Sequence, residues 1–263
     1  MNSIIHYIHS IEKLEEFLMT LKNQHPNFQP VFRGQASNNI DWTLRPKLAR
    51  YFKQGDESKF IKTEKEIISE FKASVIENNL SEHFYLFSEK FVGDYCIDWQ
   101  WLIHATHYEL PTRLMDWSFE YNTALYFSAM DENNYDGESG VLWVLFADKY
   151  NGFWQQQDFC FKINPINTNN TIFAKIDFYP SKNIGNERRY NQHGYFIVQN
   201  EYNSLLPFEN DPQYSSNLIK IIIHKDFKAK LKEKYIKDKS HYLPERNEQI
   251  VKIVNDIKCK YEL

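Results

Sequence analysis

A chain of 263 residues is long enough to bury a real core as one domain. A net charge of −4 excludes a globally basic nucleic-acid binder though not a local basic patch, and three scattered cysteines (Cys96, Cys160, Cys259) form neither a CxxC pair nor a zinc pattern. The aromatic share, 16%, is high: it suits a site that stacks planar rings, and an A·T-rich coding bias would produce it equally well. The start, MNSIIHYIHSIEKLEEF, lacks the basic-then-apolar order of a signal peptide. No stretch approaches the roughly 20 apolar residues of a membrane span. A cytoplasmic protein with reduced cysteines and no membrane partner is expected.

In chain order, residues 10–22 read as an amphipathic helix, with Ser10 as cap and Ile11, Leu14, Leu18 and Leu21 as its apolar stripe. Pro26 and Pro30 break it, and Pro30 to Gly34 reads as a short strand closed by Arg33. An apolar segment follows that carries Arg45, Lys47 and Arg50. Residues 57–79 form a helix with Ile61, Ile67, Ile68, Phe71 and Val75 on one face and charges on the other, which is expected to be solvated. Helix continues from Tyr95 to Thr106.

From His104 to Asp131 the sequence HATHYELPTRLMDWSFEYNTALYFSAMD crowds His104, His107, Thr112, Arg113, Asp116 and Ser118 among apolar residues. Charges flanked in this way are paired or functional, because an uncompensated buried charge is costly. A turn at Pro111 and Thr112, a short extended piece and a helix bearing Tyr121, Ala124, Leu125 and Ser128 are predicted, with Ser118 or Asp116 as cap. The amides opening that helix would suit an anion. Arg113 and Asp116 are expected to pair with each other or with the neighbouring motifs.

Beyond a turn cluster at 133–137, strands are predicted at Val141–Phe146, Ile172–Tyr179 and Leu218–Ile223, with loop over 150–170. A third polar cluster, Glu187 to His193, leads into the apolar run that ends at Val198. Two basic helices, about 225–237 and 245–258, close the chain. The fold class is therefore α+β: a single domain with an antiparallel or mixed central sheet, helices before it and two C-terminal helices.

Three elements together resemble the FRG domain, a bacterial and phage-associated family named for a Phe-Arg-Gly motif. They are Phe32-Arg33-Gly34 followed by Gln35; His107 with Leu110-Pro111-Thr112-Arg113-Leu114-Met115-Asp116-Trp117-Ser118 and Ala124–Phe127; and Arg188 or Arg189 with Gln192, Gly194 and Phe196. The resemblance spans about residues 25 to 225. The family pattern commonly has Gly where this chain has Glu109, which leaves the local backbone open and adds a carboxylate. The order of these elements is similar to that of the ADP-ribosyltransferase superfamily, and it implies that fold, NAD as substrate, and roles for Arg33, for Trp117 and Ser118, and for Gln192 or Glu187. It also implies a toxin or phage-defence effector with a macromolecular acceptor and a neutralising antitoxin or chaperone as partners.

The chemistry such an activity needs can be matched to residue types. Breaking a nicotinamide–ribose bond passes through an oxocarbenium-like state. Arg33 offers a fork for the pyrophosphate, with Gly34, Thr112, Arg113 and Ser118 as further contacts. Trp117 or Tyr108 would lie against the nicotinamide. Gln192 would hold the ribose hydroxyls, which Glu187 would do with more charge. His107 is the candidate base, with Asp116, Glu109 or Glu187 as further carboxylates. No metal is required. Two other classes remain open: a metal-independent nuclease using His107, Arg113, Asp116 and Glu109, and a nucleotide or nucleic-acid binding module without turnover.

Overall fold

The computed structural model describes residues 4–84, 96–130, 135, 137–146, 153–154, 171–174, 194–200, 203–238 and 246–263. Among the described residues eight strands form one sheet: β1 (Ile4–Ile8), β2 (Val31–Gln35), β3 (Leu114–Ser118), β4 (Gly140–Leu145), β5 (Phe153–Trp154), β6 (Ile172–Ala174), β7 (Gly194–Val198) and β8 (Leu218–Ile223). Their order is β1-β8-β4-β2-β3-β7-β6-β5. The pairs β1–β8 and β5–β6 are parallel and the rest antiparallel, so the sheet is mixed.

Among the described residues six α-helices accompany it: α1 (Ile11–Gln24), α2 (Glu57–Glu77), α3 (Cys96–His107), α4 (Tyr121–Ala129), α5 (Lys225–Tyr235) and α6 (Glu248–Tyr261). Their starts follow local chemistry. Ser10 caps α1 by accepting from the Lys13 N–H, and Asn247 caps α6 by accepting from Gln249 and Ile250. On α2, Phe60, Ile67, Ile68, Phe71 and Val75 form the buried stripe at helical spacing.

Side-chain alternation divides the core in three. One face of β8, β4 and β2, through Phe32, Leu142, Val144, Ile219, Ile221 and Ile223, packs under α1, α4 and α5. The same face of β3 and β7, through Leu114, Phe196 and Val198, packs under α2, α3 and α6. The opposite face, through Val31, Met115, Trp117, Trp143, Ile197 and Ile222, is covered by Leu44, Phe208 and Tyr214. The two helical groups therefore meet over the β2–β3 boundary, at the middle of the sheet.

The architecture corrects two expectations. Residues 4–8, to which the sequence assigns no element, form an edge strand parallel to β8 ahead of the first predicted helix, so the sheet begins before any helix. The helices α2 and α3 do not precede the sheet; they are inserted between its two central strands. The predicted strand over 172–179 is described as far as Ala174, and its remainder lies outside the described residues. No helix among the described residues is long and apolar enough to cross a membrane.

Candidate functional site

The two central strands barely touch. β2 pairs with β4 along its whole length, and β3 pairs with β7 likewise, but β2 and β3 share one pair, Phe32 with Ser118. Continuing that register would set Arg33 opposite Trp117 and Gly34 opposite Asp116. The ladder instead opens, and the Arg33 side chain spans the gap, donating from Nη1 to the main-chain carbonyl of Asp116. Arg33 thus satisfies an acceptor that a continuous ladder would have bonded. Its side chain retains some exposed surface, yet protein crowds it closely. Burial pushes the guanidinium down to about 10, the Asp116 carboxylate opposes the shift and Arg50 adds to it. Arg33 is charged at neutral pH.

A cleft of about 150 Å³ opens where the strands part, lined by Phe32, Arg33, Gly34, Asp116, Trp117, Ser118, Thr123, Ala124 and Phe127. Asp116 is exposed although its strand is central and its four neighbours in β3 are buried. It sits at the seam between the two helical groups, where neither covers it. Trp117 is 3% exposed and meets Phe208 edge-on at 6.5 Å. Its indole Nε1 is buried without an acceptor.

Helix α4 forms one wall of the cleft because the strands beneath it lack side chains at two points. A Cβ on Gly34 would lie 1.9 Å from the Ala124 carbonyl oxygen, and one on Gly140 would lie 2.3 Å from that of Ser128. Gly34 therefore lets the helix backbone rest on β2, a role different from admitting a pyrophosphate. Ser118 Oγ accepts from the Glu120 N–H at 2.9 Å and fixes the turn into α4. It does not cap the helix directly; Glu120 occupies the cap position without a side-chain bond.

The structure brings Arg33, Gly34, Asp116, Trp117 and Ser118 together, and it places four other predicted residues elsewhere. Arg113 does not pair with Asp116. It is fully buried, its Nε lies 3.3 Å from Glu64 on α2, and its main-chain N–H donates to Glu64 at 2.6 Å. Burial pushes the Glu64 carboxyl up, against the pull of the Arg113 guanidinium and N–H. Thr112 is buried in the turn, bonded to Thr106 Oγ1 at 2.7 Å and accepting from the Leu114 N–H. His107 ends α3 and is buried there, and Tyr108 packs on Phe84. Neither lines the cleft. Gln192 and Glu187 lie outside the described residues, as do Arg188 and Arg189; Gly194, two positions after Gln192, pairs with Ser118.

Glu109 resolves the question its position raised. It has φ +66°, in the left-handed region. Its N–H reaches the Thr106 carbonyl, and that of Leu110 reaches Ala105, which closes α3 in the geometry that glycine favours. The side chain then bonds Arg246 at 2.8 Å and lies 3.9 Å from Lys47, holding the start of the C-terminal helix.

Both flanking strands and the wall helix of the cleft fall within one recognisable segment. The FRG domain family model matches residues 29–137. That segment, less than half of the chain, is similar to the FRG domain. The matched segment runs from before β2 to beyond α4, so it supplies Arg33, Asp116, Trp117 and Gly34, while β4 to β8 and the last two helices lie beyond it. No curated protein and no solved structure matches the chain.

The sequence reading missed Glu64, whose signal was its place four residues after Phe60 and three before Ile67, within the apolar stripe. It also missed Phe32, Thr123 and Phe127 as cleft walls, which read only as packing residues. No cluster of three His, Cys, Asp or Glu side chains able to hold a metal occurs among the described residues.

Proposed function

We propose that the cleft binds NAD and that this protein acts as an ADP-ribosyltransferase on a macromolecular acceptor. The observation that supports this reading most is the opened β2–β3 boundary with a charged Arg33 at its floor. A fixed guanidinium in a partly dry cleft holds a pyrophosphate by charge-assisted hydrogen bonds. Asp116, exposed in the same cleft on the helix-covered side of the gap, supplies a carboxylate for the attacking group.

In the proposed reaction the bond from nicotinamide nitrogen to ribose breaks, and its electron pair leaves with nicotinamide. The positive charge that develops on the ribose is stabilised by Gln192 or Glu187. An acceptor oxygen or nitrogen then bonds the ribose carbon and loses its proton. His107 does not line the cleft, so that proton passes to Asp116. His107 and Arg113 do not line the cleft that holds Asp116, which weighs against the nuclease reading. Uncontrolled modification of cellular macromolecules would harm the host, and the proposal therefore includes a toxin or defence role with a neutralising partner.

Incubating the purified protein with labelled NAD and total lysate, followed by nuclease or protease digestion, tests the reading. Label that enters macromolecules and is released by one digestion identifies the acceptor class. Tight nucleotide binding without label transfer would leave a binding module as the account.

A further inference from the structure

The indole of Trp117 is a buried donor with nothing to donate to. Its Nε1 has no hydrogen-bond partner, and the residue is 3% exposed. Folded proteins rarely tolerate such a group, and where it lines a cavity it is poised for an acceptor that arrives from outside. The comparison within the same sheet is direct. Trp143, on the same face of the neighbouring strand β4, donates its Nε1 to Gln35 Oε1 at 2.5 Å.

Arg33 stands between these two indoles. It pairs in register with Trp143 on one side, and the single Phe32–Ser118 pair sets Trp117 across the gap on the other. Strand alternation sends Arg33 and Trp117 to the same face, and it sends the Asp116 carboxylate to the opposite one. One guanidinium nitrogen is committed to the Asp116 carbonyl, while the fork has five N–H groups in all. The Trp117 ring, buried and edge-on to Phe208, is not an open platform for stacking a planar base.

We infer that Trp117 is a hydrogen-bonding ligand residue rather than a stacking one: its indole N–H and the Arg33 guanidinium together bind one oxyanion, a phosphate oxygen of a nucleotide, in the gap between β2 and β3. The inference rests on the nucleotide-binding reading of this cleft and assigns the part of the ligand that enters it.

Trp117→Phe removes the N–H and keeps an aromatic side chain, though a smaller one. The smaller ring leaves a cavity that lowers the melting temperature, so binding by the folded variant is the readout. Its affinity for ADP-ribose and for inorganic pyrophosphate, measured by calorimetry, should fall about tenfold or more, as for one hydrogen bond to a charged group. In the parent, pyrophosphate should move one of the six indole N–H resonances downfield, a readout that stands even if the variant does not fold. A variant that melts lower yet binds both probes as the parent does overturns the inference and leaves NAD binding intact. If the parent binds pyrophosphate through the indole but not ADP-ribose, the oxyanion site stands and the NAD reading fails. If neither probe moves an indole resonance, the Trp117 assignment is wrong.

Discussion

Arg113 and Glu64 show what a charge costs once the fold closes around it. Both are fully buried, and the pair joins α2 to the turn before β3. Glu64→Gln should destabilise the protein by about 3–5 kcal/mol, because it removes the Glu64 charge from beside the buried Arg113 guanidinium. Replacing both residues, as Glu64→Leu with Arg113→Met, should recover most of that loss. Urea denaturation of the two variants measures it, and a single substitution costing under about 1 kcal/mol would contradict a buried structural pair. The chemistry of Arg113 was legible in the sequence: an arginine among apolar residues had to be paired or functional. Its partner was not, because the charges of 57–79 were read as a solvated face and Glu64 was not separated from them by its place on the stripe. At Glu109 the family's usual glycine pointed to a special backbone, and φ +66° is that backbone. Two ion-pair contacts, to Arg246 and Lys47, accompany the strain of about 1–2 kcal/mol that an L side chain meets there.

At the scale of elements, the site depends on how closely α4 lies on the sheet. Gly34→Ala would drive a methyl group to within 1.9 Å of the Ala124 carbonyl, which belongs to a helix backbone and cannot rotate away. We expect a loss of about 1–3 kcal/mol or more, together with a shifted cleft wall. Thermal unfolding and nucleotide affinity should therefore both deteriorate; a variant as stable as the parent would show that α4 can lift freely. The helices and the strands over 31–35, 140–145 and 218–223 were readable because their apolar periods and caps are strong. β1 was missed because its five residues, IIHYI, gain their strand character from pairing with β8, a partner over 200 residues away. The insertion of α2 and α3 between neighbouring strands was equally hidden, since no local pattern states which strands pair.

For the whole molecule, the functional reading comes down to one seam. Two helical groups cover one face of the sheet, β2 and β3 share a single pair and then diverge, and Arg33 and Trp117 flank that gap on the opposite face. The sequence singled out both residues, and Asp116 and Ser118 beside them, from residue type together with the family resemblance. It could not show that His107, Tyr108, Thr112 and Arg113, close by in the chain, turn into the helical layer and the turn that supports β3. Chain proximity was a poor guide there because the strand–turn boundary at Thr112 to Leu114 separates core from cleft within three residues. The central claim is that Arg33 holds the pyrophosphate of NAD while the nicotinamide bond breaks. Nicotinamide release from NAD by the purified protein and by Arg33→Ala, followed by chromatography, tests it most directly. The account predicts release by the parent and a loss of at least about tenfold in the variant, with a melting temperature within a few degrees of the parent's. Equal release by both proteins, or none by the parent with acceptor lysate present, would contradict it.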